Sequence, residues 1–198
     1  MLSKLGTKSG IFSAAAVLAA APLLAGALTA QADPSPAPDA KTLLTCDLTG
    51  SAAFSPALSA NPLGANTQMK VDGEAANCKP AGRAAEGIVS ATFTGDLAGK
   101  MSCTSLPRDV GGDVDITWKY EDGSTKTSKA DFSLNMQGDL SNPGQPVTGA
   151  FTGKTVDGEF TDAQHKGSGQ FDMASAAGGC LAGGLSSLDF GGKYELSQ

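Results

Sequence analysis

Four cysteines, one histidine and a run of aspartates are the side chains here that could do covalent, acid–base or metal chemistry. Cys46, Cys78, Cys103 and Cys180 are even in number and widely spaced. No Cys-x-x-Cys occurs, and with one histidine neither a zinc site nor a dithiol redox pair is supported. His165 sits in the polar run Asp162 to Gly169. A Ser–His hydrolase needs its histidine beside a nucleophile and an orienting carboxylate, and no Gly-x-Ser-x-Gly elbow is present, so a surface loop is expected for it. Asp109, Asp113 and Asp115 surround Gly111-Gly112, a composition that suits a hard cation such as calcium. Asp109 and Asp113 are the ligands to test. The spacing is not that of an EF-hand, and Asp113 and Asp115 also fit the outward side of a strand, so no metal is expected. None of the acid pairs falls on an inward position, as a glycosidase pair with a raised pKa would. Trp118 and Tyr120 could stack on a ligand ring, but their parity directs them to the core. No catalytic residue and no cofactor is assigned.

These residues are positioned by short alternating segments. Between Asp113 and Tyr120, Val114, Ile116, Trp118 and Tyr120 alternate with Asp113, Asp115, Thr117 and Lys119, the period of a strand with one buried face. Asp122-Gly123 then suits a type I′ hairpin turn, and Ala130, Phe132, Leu134 and Met136 carry the returning strand. The first strand places Leu44, Cys46, Leu48, Gly50, Ala52 and Phe54 inward, and a weaker second follows at about Gln68 to Asn77. Val89, Ala91, Phe93, Gly95 and Leu97 make a third, with a short fourth ending at Cys103. Ser141-Asn142-Pro143-Gly144 is a turn. Beyond it lie Val147, Gly149 and Phe151, a turn at Asp157-Gly158, Phe160, then a strand with Gly169, Phe171 and Met173. Ala176 to Gly184 links this to a closing strand with Leu188, Phe190, Gly192, Tyr194 and Leu196 inward. No sustained helical period is present. The pattern predicts an all-β fold, an antiparallel β-barrel or β-sandwich of about nine to ten strands with two disulfides. Inward glycines at 50, 95, 149, 153, 169 and 192 predict a sheet that bends or closes on itself.

Ahead of this domain, Lys4 and Lys8 precede an uncharged Ala- and Leu-rich run, Gly10 to Ala30, that ends in Ala30-Gln31-Ala32. That is the layout of a signal peptide over residues 1–32. Pro22 and Gly26 interrupt the run and no basic stop-transfer cluster follows, so no integral span is expected after cleavage. Residues 33–41 form a proline-rich spacer and 42–198 a single domain. Such a chain is secreted, extracellular or wall-associated. All 20 acidic residues follow residue 32 while two of the 14 basic ones precede it, so the mature chain is more acidic than the −6 of the whole. Nucleic acid and anionic membrane surfaces are disfavoured as partners.

In that compartment the cysteines read as two disulfides. If the first four strands form a meander, Cys46, Cys78 and Cys103 all lie at one end of the sheet. Cys46 and Cys78 are also symmetric about Pro62, as cross-strand neighbours are. The preferred pairs are Cys46 with Cys78 and Cys103 with Cys180; Cys46 with Cys103 and Cys78 with Cys180 is the close alternative.

Thr45-Cys46, Phe54-Ser55-Pro56-Ala57-Leu58, Ser102-Cys103, Ile116-Thr117-Trp118 before Asp122-Gly123-Ser124, and the late Cys180 with a Gly-Leu resemble, in order, a group of uncharacterised secreted all-β proteins of high-GC Gram-positive bacteria. The resemblance covers most of residues 33–198. It implies a secreted β-domain and no activity. Composition is also similar to that of the enediyne-carrying apoproteins of such bacteria, small acidic sandwiches with two disulfides. The cysteine spacing departs from that family's short disulfide loops, so ligand carriage is not implied.

The expectation is a secreted, non-enzymatic, disulfide-stapled β-domain that binds a small molecule or a protein partner; a small hydrolase is the alternative. An apolar carrier needs the small inward residues to leave a cavity, which a hollow interior above a few hundred Å³ would support; a protein-binding module needs an exposed apolar patch, and a hydrolase a cleft where His165 or an acid pair converges.

Overall fold

The computed structural model describes residues 41–198 except 105, 107–109 and 143–146. The segments expected to be a signal peptide and a spacer, as far as residue 40, together with Asp109 and the Pro143-Gly144 half of one expected turn, lie outside the described residues.

Alternation carries the chain through eight antiparallel strands: β1 (Thr42–Leu58), β2 (Ala65–Pro80), β3 (Ile88–Met101), β4 (Val110–Tyr120), β5 (Thr125–Gln137), β6 (Thr148–Gly158), β7 (Gln164–Phe171) and β8 (Leu185–Ser197). Each pairs with the next in sequence, and β8 returns to pair with β1, closing a barrel with no free edge. Main-chain bonds between Lys41 and Gln198 join the two ends of the described chain at one mouth. At the other, a nine-residue helix, α1 (Met173–Leu181), connects β7 to β8.

The count is eight, not nine or ten, because two expected strands are absent, the short one ending at Cys103 and the one at Phe160. Ala98-Gly99 is no turn: β3 runs unbroken to Met101, paired with β2 throughout. Phe160 belongs to no strand but to the turn after β6, at φ 60°. The Ala176–Gly184 link is largely helix, and Met173 opens it instead of continuing β7. Asp172 caps it, its side chain accepting from the Ala174 N–H at 3.1 Å. Two local details also differ. At Asp122-Gly123 positive φ falls on Gly123 alone, and Tyr120 N–H bonds Ser124 O across a three-residue loop, a type I turn with a glycine bulge in place of type I′. A register shift between Ile88 and Ser90 buries Ile88 and leaves Val89 exposed.

Disulfides join Cys46 to Cys78 and Cys103 to Cys180. The first spans adjacent strands where β1 and β2 shift register between Thr45 and Asp47, with Asn77 at φ 51°. The second does not lie at that end. Because β3 is one long strand, Cys103 emerges at the opposite mouth, where it fastens the last turn of α1 through Cys180.

One core cluster lines the barrel. Leu44, Ile88, Trp118 and Leu196 are buried toward the mouth of the chain ends, and Leu58, Met101, Val110, Leu140 and Leu188 toward the helix mouth. Outward positions of the central strands, such as Asp113, Asp115 and Lys119, are exposed and polar, the reverse of a lipid-facing barrel. Among the described residues no helix is long and apolar enough to cross a membrane.

Candidate functional site

Between the two packed ends the barrel axis holds a cavity of about 90 Å³. Every strand except β7 contributes a wall: Leu48 (β1), Val71 (β2), Phe93 (β3), Ile116 (β4), Phe132 (β5), Phe151 (β6) and Phe190 (β8). These are inward residues of alternating strands, so their convergence follows from the pleat and from closure. Strand β7 instead offers Gly167, and Phe151 lies over it as its direct cross-strand neighbour. Tyr194 is the one lining residue with a polar atom, and that atom is turned away to a partner.

The partner is His165. Far from a surface loop, it is wholly buried on β7. Its Nδ1 lies 2.7 Å from the Tyr194 hydroxyl, its Nε2 2.7 Å from Thr155 Oγ1, and its ring 5.1 Å from that of Phe132. A neutral imidazole has one N–H and one bare nitrogen, so one hydroxyl accepts and the other donates. Loss of hydration on burial holds the imidazole's pKa at about 4 and raises that of the Tyr194 phenol well above its usual value. Both ring nitrogens are taken by hydroxyls. The arrangement therefore has neither the orienting carboxylate nor the solvent access that general-base catalysis requires. A signal for this position was present: His165 shares parity with Gly167, Gly169 and Phe171, the inward set of the same strand. The polar run around it masked that parity. Thr155 was missed for the same reason, being the continuation of Gly149, Phe151 and Gly153.

Nearby, the Trp118 indole N–H donates to Ser128 Oγ at 2.8 Å, and Ser128 in turn donates to the Glu159 carbonyl. Trp118 is fully buried, edge-on to Phe160 with ring centroids 5.3 Å apart. It plugs the mouth of the chain ends and is no ligand platform. Tyr120 is half-buried near the same mouth and meets Glu159 and Lys126.

Asp113 is exposed on the outer wall, directly between Asp96 and Asp131 on the flanking strands, with Lys70 and Lys154 completing the row. Among the described residues no group of three His, Cys, Asp or Glu is placed to hold a metal ion. Asp109 lies outside them. The large exposed apolar side chains, Leu63, Val89, Val156 and Leu181, lie apart in sequence, in the β1–β2 loop, β3, β6 and α1.

Fold and site together define a disulfide-bridged, closed antiparallel barrel with an apolar lumen. The chain matches no protein-family model, and comparison with curated proteins and with solved structures gives no match.

Proposed function

We propose that the protein is an exported, non-enzymatic carrier that holds a small apolar molecule in the barrel lumen. One observation carries this reading: a cavity of about 90 Å³ walled by apolar side chains from seven strands, in a core otherwise packed at both ends. Protein interiors are close-packed, and a guest that fills an apolar cavity regains the contacts its walls otherwise lack, so a space with this lining suits an apolar occupant. The volume is below the few hundred Å³ of a drug-sized pocket, which narrows the cargo to about one ring or a short alkyl chain. Two disulfides are compatible with an oxidising, non-cytoplasmic compartment. The signal-peptide pattern of residues 1–32 supports export.

A ligand that binds only the folded barrel raises its melting temperature by mass action. Thermal unfolding of wild type with single-ring and short-chain apolar compounds is expected to show such a rise. Ala75→Leu, which fills the lumen, is expected to melt higher than wild type and to lose the response. An unchanged melting temperature across the series, or a response that persists in Ala75→Leu, contradicts the reading.

A further inference from the structure

Four of the rings that wall the lumen lie straight across from a glycine on the next strand. Phe93 faces Gly73, Phe132 faces Gly153, Phe151 faces Gly167 and Phe190 faces Gly50. A Cβ built on Gly50 would stand 2.6 Å from Phe190 Cζ, and one on Gly153 3.0 Å from Phe132 Cγ. At Gly73 and Gly167 the rings of Phe93 and Phe151 come closer still. Each ring thus occupies the space that a side chain on the neighbouring strand would take. Four large residues stay against the wall and the axis remains open, as when aromatic side chains cover strand glycines.

Five of the thirteen lining residues are aromatic and the other eight aliphatic, and the rings are the largest side chains among them. Phe132 and Phe151 have ring centroids 5.4 Å apart, and Tyr194 stacks near Phe151 at 6.3 Å. With the Tyr194 hydroxyl bound to His165, no lining residue offers the cavity a free hydrogen-bonding group. A cargo that carried a donor or acceptor would leave it unpaired, and a charged one would be excluded. Aromatic edges, in contrast, gain from ring faces beyond simple area burial.

Resting on the carrier reading, we infer that the lumen selects a small, neutral aromatic ring without hydrogen-bonding groups over a saturated ring of similar size. Phe93, Phe132, Phe151 and Phe190 determine that specificity, and their glycine partners keep them at the wall.

The test compares benzene with cyclopentane on the full folded protein, read by NMR shifts of the Ala75, Ala91, Val114 and Ile116 methyl groups. Benzene is expected to bind about threefold to tenfold tighter. In Phe132→Leu the preference should fall below about twofold while cyclopentane still binds. Should that variant not fold, the wild-type comparison decides alone. Equal affinities overturn the aromatic preference and leave the lumen as an apolar site; binding of neither probe overturns both readings.

Discussion

His165 shows what one buried side chain asks of its surroundings. Its imidazole stays neutral in the barrel down to about pH 4, whereas in the unfolded chain it takes up a proton below about 6.5. The unfolded state therefore binds the extra proton in that window, and stability falls as pH drops from about 6.5 to about 4, then levels. The gap corresponds to about 3 kcal/mol. Of the groups in contact with the ring, Thr155 and Phe132 do not titrate, and the Tyr194 phenol stays protonated throughout. Urea unfolding between pH 7.5 and 4 should show this loss in wild type. In His165→Leu, which strands two buried hydroxyls, stability at pH 7.5 should be lower by about 2 to 4 kcal/mol and the step between pH 6.5 and 5 absent. A wild-type profile flat across that window would refute the buried neutral imidazole.

Among the elements, glycine has opposite consequences in strand and helix. A Cβ on Gly192 would collide with the backbone at Ser168 and Gly169, which cannot swing aside. Gly192→Ala should cost about 3 kcal/mol or prevent closure between β7 and β8. Gly178, in α1, has open space where its Cβ would be, so Gly178→Ala should stabilise by about 0.5 to 1 kcal/mol. Chemical denaturation of the two variants measures both signs. On the outer wall, Asp113 has a like charge directly opposite on each side, and Asp113→Thr should raise stability by about 0.5 kcal/mol, more at low salt. Strict alternation made β1, β4, β5 and β8 legible from sequence, and inward glycines pointed to a sheet that bends or closes, without deciding between barrel and sandwich. What was not legible has physical causes. Past Leu97 the pair Ala98-Gly99 looks like a reversal although β3 runs on to Met101, and Phe160 looks like a strand residue although it lies in the turn that does follow Asp157-Gly158. Helix α1 was hidden because Ala and Gly give no apolar stripe; Asp172 before an alanine run was its one signal. The lumen itself depends on which ring covers which glycine, and that follows from register across strands, which no single segment encodes.

Across the whole molecule, closure and cross-linking act together. The two bridges close loops with sequence separations of 32 and 77, for which chain entropy gives about 3.7 and about 4.5 kcal/mol. Replacing Cys103 and Cys180 by serine should therefore cost more than replacing Cys46 and Cys78, a ranking that urea midpoints at constant m-value would verify. The Cys103–Cys180 bridge also fastens the helix at one mouth, while the Trp118 and His165 networks lie toward the other. What lies between them is the central claim, and a crystal pressurised with xenon tests it most directly, because xenon enters dry apolar cavities. A xenon atom is expected on the barrel axis, within contact of Phe93, Phe132, Phe151 and Phe190. A lumen filled by side chains, or occupied by hydrogen-bonded water with no xenon, would contradict the account.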